Sequence, residues 1–168
     1  MPHLTATELT TLRAAVFANP TAAALLTALN VPGLQGWCNG ASGSKRWLPA
    51  AEVLAVEEAP SYTVFDTLLQ GKRDSWLVFL RGSRDFGRSK VRAWVVDVWG
   101  AATAGSNAEA VLQAGTVNAT NAQVALGGTV KTTGTVSAVD TGYEQDVDIT
   151  DTTKLIFKDN GTVWTALG

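Results

Sequence analysis

Residues 87–99 read Gly87-Arg-Ser-Lys-Val-Arg-Ala-Trp-Val-Val-Asp-Val-Trp99. Val91, Trp94, Val95 and Val98 fall at i, i+3, i+4 and i+7, a single apolar stripe along a helix. Gly100 ends it, and Arg88 and Arg92 lie one turn apart on another face. A helix with so wide a stripe needs partners of the same kind, and the sequence on either side supplies them.

Upstream, residues 72–81 include Trp76, Leu77 and Leu80 at helical spacing and read as a helix with a buried face, broken by Gly82-Ser83. Before it, Pro49 opens a short helix carrying Val53, Leu54 and Val56. Ser61 or Thr63 then caps a segment with Val64, Phe65, Leu68 and Leu69, ended by Gly71. Residues 33–46 (GLQGWCNGASGSKR) are rich in Gly and Ser and read as a mobile loop. At the start, Thr5-Ala-Thr-Glu8 fits a capping box for a helix over 6–18, with Leu9, Leu12 and Val16 on its face. Asn19-Pro20 restarts the chain as a second helix with Leu25, Leu26 and Leu29, and Val31-Pro32-Gly33 stops it.

Downstream, two Ala-rich helices are expected at 107–113, stopped by Gly115, and at 120–126, with Thr120 as the cap and Gly127-Gly128 as the stop. After Gly128 the period changes. Residues 129–139 alternate Thr and Val, which favours strand. Residues 154–164 read as a hairpin turning at Asn160-Gly161. The expected fold is therefore mainly α, a small helical bundle with a C-terminal β-hairpin or small β element (α+β). Residues 1–127 form the helical body and 128–168 a β-rich C-terminal extension, which packs on the helices or pairs with a strand of another chain.

A length of 168 residues favours one domain with a small appendage, and 46% apolar residues exclude global disorder. One His (His3) and one Cys (Cys38) cannot build a Cys/His zinc site, an iron–sulfur cluster or an intrachain disulfide. His3 stands where chains usually fray, which argues against a Ser–His–Asp or Cys–His apparatus. No catalytic, cofactor-binding or metal-binding residue is therefore assigned. A net charge of −2 argues against non-specific DNA binding. No run approaches the roughly 18 apolar residues of a membrane span, and the opening MPHLTATELTTL has neither the basic start nor the apolar run of a secretory leader.

Several short motifs carry no chemistry here. Asp85-Phe-Gly87 copies a kinase tripeptide without its partner motifs. Gly40-Ala-Ser-Gly-Ser-Lys45 fails the spacing of a phosphate loop. The acids at 144, 146, 148 and 151 lack the glycine and terminal glutamate of a calcium loop.

The charge is unevenly placed. Residues 1–99 hold ten Lys/Arg and eight Asp/Glu, whereas residues 100–168 hold three Lys against seven acids. The basic surplus sits in 72–92 and the acidic surplus in 140–151. Such a two-ended chain is either a pair of solvated faces or the two sides of a head-to-tail contact between copies. In the second case the contact residues are Arg84, Arg88, Lys90 and Arg92 on one side and Asp140, Glu144, Asp146, Asp148 and Asp151 on the other.

Lys72-Arg-Asp-Ser-Trp76, Asp85-Phe-Gly-Arg-Ser-Lys-Val-Arg-Ala-Trp94, Asp97-Val-Trp-Gly100, Asn107-Ala-Glu-Ala-Val-Leu112 and Ala119-Thr-Asn-Ala-Gln123 occur in that order. With Thr5–Leu9 and Asn19-Pro20, this succession over most of residues 1–139 resembles a family of small neck proteins of tailed-bacteriophage virions. Residues 140–168 depart from the family pattern. The resemblance implies a head–tail adaptor without catalytic residues, assembled in the host cytoplasm into a ring, twelvefold by analogy. Its partners would be further copies of itself, the portal protein and the next neck or tail protein, with passive contact to passing DNA and none to membrane. Another virion role (capsid cement, stopper or tail protein) and a soluble enzyme or small-ligand module are the alternatives.

Overall fold

The computed structural model describes residues 3–127, 129–140, 143 and 145–165. Among them the order is α1 (Ala6–Ala18), α2 (Pro20–Thr27), α3 (Val31–Asn39), β1 (Ala41–Trp47), α4 (Val53–Glu58), α5 (Tyr62–Phe65), α6 (Gln70–Phe79), α7 (Ser89–Trp99), α8 (Asn107–Ala114), β2 (Thr116–Thr120), α9 (Asn121–Leu126), β3 (Val130–Thr133), β4 (Val136–Val139) and α10 (Ile149–Ile156). The fold is α+β, with ten helices and one four-stranded mixed sheet among the described residues. Among the described residues no helix is long and apolar enough to cross a membrane. The chain forms two compact units interleaved in sequence: one takes residues 1–44, 119–128 and 141–168, the other 45–118 and 129–140.

The first unit is helical. Thr5 and Glu8 close the expected capping box of α1, and the Asn19 side chain caps α2 with Pro20 in its first turn. The next stretch departs from expectation. Residues 33–46 are not a loop but most of α3 followed by β1. Pro32 lies in the first turn of α3, where its missing N–H costs nothing, and Asn30 Oδ1 accepts from the Gly33 N–H at 2.9 Å. The motif that was expected to stop α2 therefore starts α3. Leu34 and Cys38, one turn apart, give α3 its buried stripe. They join Leu12, Val16, Leu26, Ala122, Leu155 and Ile156 in the core of this unit.

The predicted hairpin at 154–164 is also corrected. Its first arm is the end of α10, and its pairing is reduced to a single bridge, Phe157 to Val163. The Asp148 side chain caps α10 by accepting from the Asp151 N–H, and Thr152, Leu155 and Ile156 bury one helical face. That cap and the i, i+3, i+4 face outweigh the β propensity of Ile and Phe. Arg13 crosses from α1 to the far end of α10. Its Nη2 donates to the Lys154 carbonyl at 3.1 Å, and its guanidinium stacks 3.7 Å from the Trp164 ring centre. A cation there meets the negative end of the helix.

The second unit centres on α7. Val95 and Val98 are fully buried, with Val91 and Trp94 packed beside them, as the stripe predicts. Trp76 stacks on Phe79 at 5.1 Å and meets Trp99 edge-on at 5.2 Å, while Phe79 meets Trp94 edge-on at 5.0 Å. Two details of α6 differ from expectation. Gly71 is its second residue rather than a stop, and Leu77 points outward, leaving Trp76 and Phe79 as its buried pair.

The sheet order is β2-β1-β4-β3. The expected strand at 129–139 is two strands, antiparallel from Val130↔Val139 to Thr133↔Val136. Gly134, at φ 59°, takes the first position of the two-residue turn, where a II′ turn reserves a place for glycine. This hairpin supplies the β element expected after residue 127. It pairs within the chain, β4 running parallel to β1 with Arg46 opposite Val139.

Candidate functional site

The basic residues singled out from sequence separate into two kinds. Arg92, on α7, is only 4% exposed. Its Nη1 donates to the carbonyls of Phe86 and Gly87, its Nε donates to Thr133 Oγ1 at 3.0 Å, and its guanidinium lies 4.8 Å from the Trp47 ring centre. Burial pushes its pKa down, and the nearby Asp140 and Asp85 carboxylates oppose that. Arg92 is thus a core tie between α7, β3 and Trp47, not a contact residue. Arg84 is half-buried, donates to the Val78 carbonyl at 2.8 Å and lies over the rings of Phe79 and Trp94. Arg88 is exposed and pairs with Asp85 at 3.0 Å, and Lys90 is exposed. Of the four basic contact residues expected from sequence, Arg88 and Lys90 therefore remain at the surface.

The acids separate in the same way. Asp140, beyond β4, pairs with Lys131 of β3. Asp146 is exposed, Asp148 half-buried and Asp151 buried at 1% exposure. Burial removes Asp151 from any surface contact, as it removes Arg92. Glu144 lies outside the described residues.

Asp148 and Asp151 meet a residue that sequence reasoning had dismissed. The stretch around His3 is tied down rather than frayed: Leu4 is buried, and its N–H donates to Asp151 Oδ2 at 3.1 Å across 147 positions of sequence. His3 Nδ1 lies 3.3 Å from Asp148 Oδ2 and 3.4 Å from Asp151 Oδ1. Hydrogen bonds to nearby amides hold Asp148's pKa below the ordinary carboxylate range, the Asp151 N–H contributing most. No local spacing signals this cluster, because the fold alone brings the two ends together.

A third feature is apolar. Among the described residues ten large hydrophobic side chains are exposed, and six of them lie between residues 54 and 78: Leu54, Tyr62, Val64, Leu69, Leu77 and Val78. Leu69 is 76% exposed and Leu54 62%. Tyr62 and Leu77 rim a hollow of about 50 Å³ floored by Trp76 and Trp99. That volume is well below the several hundred Å³ of a small-ligand pocket.

Cys38 lies in the core of the first unit, and burial raises its thiol pKa to about 12. The thiolate is the reactive form. Ellman's reagent at pH 8 is therefore expected to leave Cys38 unmodified in the folded protein and to titrate one thiol in urea. Rapid modification without denaturant would contradict this packing.

Compared with family models, curated proteins and solved structures, the chain gives no match.

Proposed function

We propose that this chain is a structural subunit of a tailed-phage virion, a head–tail adaptor whose copies form a ring between the portal and the next neck or tail protein. The observation that carries the reading is the concentration of exposed apolar side chains in residues 54–78. Covering a leucine side chain is worth about 1.5–3 kcal/mol, so a surface with Leu54, Leu69 and Leu77 uncovered gains from a neighbour. The resemblance of most of residues 1–139 to phage neck proteins supports another copy of the chain as that neighbour. A ring requires a heterologous contact, in which exposed apolar side chains of residues 54–78 of one copy meet a different surface of the next.

The remaining surface charges set register in that contact. Arg88 and Lys90 lie in one unit and Asp146 in the other, so an oriented pairing between copies joins opposite signs. The catalytic roles left unassigned in sequence have no part in this reading.

The test is a pair of surface variants. Leu69→Asp and Leu77→Asp are expected to keep the circular dichroism spectrum of the parent and to reduce ring formation at least tenfold in mixtures with portal. Rings formed at the parental level by both variants would overturn the role of this face.

A further inference from the structure

We propose that His3, Asp148 and Asp151 form a binding site for a divalent cation of the zinc type. The three donor atoms, His3 Nδ1, Asp148 Oδ2 and Asp151 Oδ1, all lie within 4.8 Å of one another. The two imidazole–carboxylate separations, 3.3 and 3.4 Å, match those of ligands about 2.0–2.1 Å from a tetrahedral ion.

Each carboxylate is held by its other oxygen. Asp148 Oδ1 accepts from the Asp151 N–H at 2.8 Å, and Asp151 Oδ2 accepts from the Leu4 N–H at 3.1 Å. Backbone amides thus orient both ligands, as outer partners do in metal sites.

The independent indication is Asp151 Oδ1. Its side chain is 2% exposed, and this oxygen has no hydrogen-bond partner. The imidazole 3.4 Å away makes no hydrogen bond to this buried oxygen, which is costly, and a cation seated between it, Asp148 and His3 removes the cost. The two carboxylates also outweigh the positive end of the α10 dipole.

The donor set selects the metal. Calcium and magnesium are bound by oxygen shells, whereas an imidazole nitrogen with two carboxylates suits zinc and its first-row neighbours. Three protein ligands leave a position for water. His3 is about half exposed, which gives the ion a route from solvent. Bound there, the ion clamps residues 3 and 4 to the start of α10. This site is independent of the adaptor reading.

The experiment is calorimetric titration of tag-free, full-length protein with zinc chloride and, separately, magnesium chloride. One zinc per chain is expected, with no comparable heat from magnesium. His3→Ala is expected to weaken zinc binding at least about tenfold. Asp148→Asn keeps an acceptor for the α10 cap and so leaves the helix in place, and it too is expected to weaken binding by at least that factor. Absence of saturable zinc binding, equal binding of magnesium, or unchanged affinity in both variants would overturn the proposal. In the last case His3 and the acids form only an ion pair.

Discussion

Arg92→Ala is expected to destabilise the protein by about 3 kcal/mol or more in urea unfolding, whereas Arg88→Ala, one turn away, stays within about 0.5 kcal/mol of the parent. The two residues look equivalent in sequence, and their surroundings are opposite. Arg92 supplies the donors for the Phe86 and Gly87 carbonyls and for Thr133 Oγ1, and its stem and guanidinium fill the space beside Trp47. Truncation removes packing as well as charge, and it leaves buried carbonyls without donors. Arg88 makes a surface pair with Asp85, and exposed pairs of that kind contribute little. Equal, small effects of the two substitutions would show that Arg92 is not the tie described here.

Gly115→Ala is expected to cost about 2–3 kcal/mol, although alanine suits the backbone angles there. The added methyl would overlap the ring of Phe86, which is completely buried and packs edge-on against Phe79 at 6.1 Å. Neither side is free to move away. The Gly115 N–H closes α8 on the Val111 and Leu112 carbonyls, and its carbonyl accepts from the Leu48 N–H at 2.9 Å. The Phe86 N–H in turn donates to the Leu48 carbonyl at 2.8 Å. Combining Gly115→Ala with Phe86→Leu is expected to be less damaging than the sum of the two, because the smaller side chain leaves room for the methyl. Strict additivity in that cycle would contradict the contact.

Much of the helical fold was legible because its signals are local. Thr5 with Glu8, Asn19 with Pro20, and Thr120 mark helix starts by satisfying first-turn N–H groups, and each does so in the structure. The stripe on α7 was legible for the same reason, since four apolar residues within two turns admit few other readings. Where two readings share one motif, sequence was insufficient. Val31-Pro32-Gly33 serves as a stop or as a first turn, and the Asn30 cap decides it. Leu155 and Ile156 are apolar enough for a strand, and the Asp148 cap makes them the end of α10.

The candidate sites were less legible because burial of a charge depends on distant partners. Arg92 and Asp151 belong to a basic and an acidic window in sequence, but Thr133, Trp47 and Leu4 take them into the interior. Of the expected contact charges among the described residues, Arg88, Lys90 and Asp146 remain fully at the surface. The apolar surface of residues 54–78 was missed because helical spacing assigned Leu77 to the core, while Trp76 and Phe79 fill that space.

The adaptor reading is tested most directly by negative-stain electron microscopy of the purified protein mixed with its cognate portal. The account predicts rings seated as a collar on the portal, formed by the parent and lost in Leu69→Asp. Particles that decorate capsid faces, or a protein that stays monomeric beside bare portals, would contradict it.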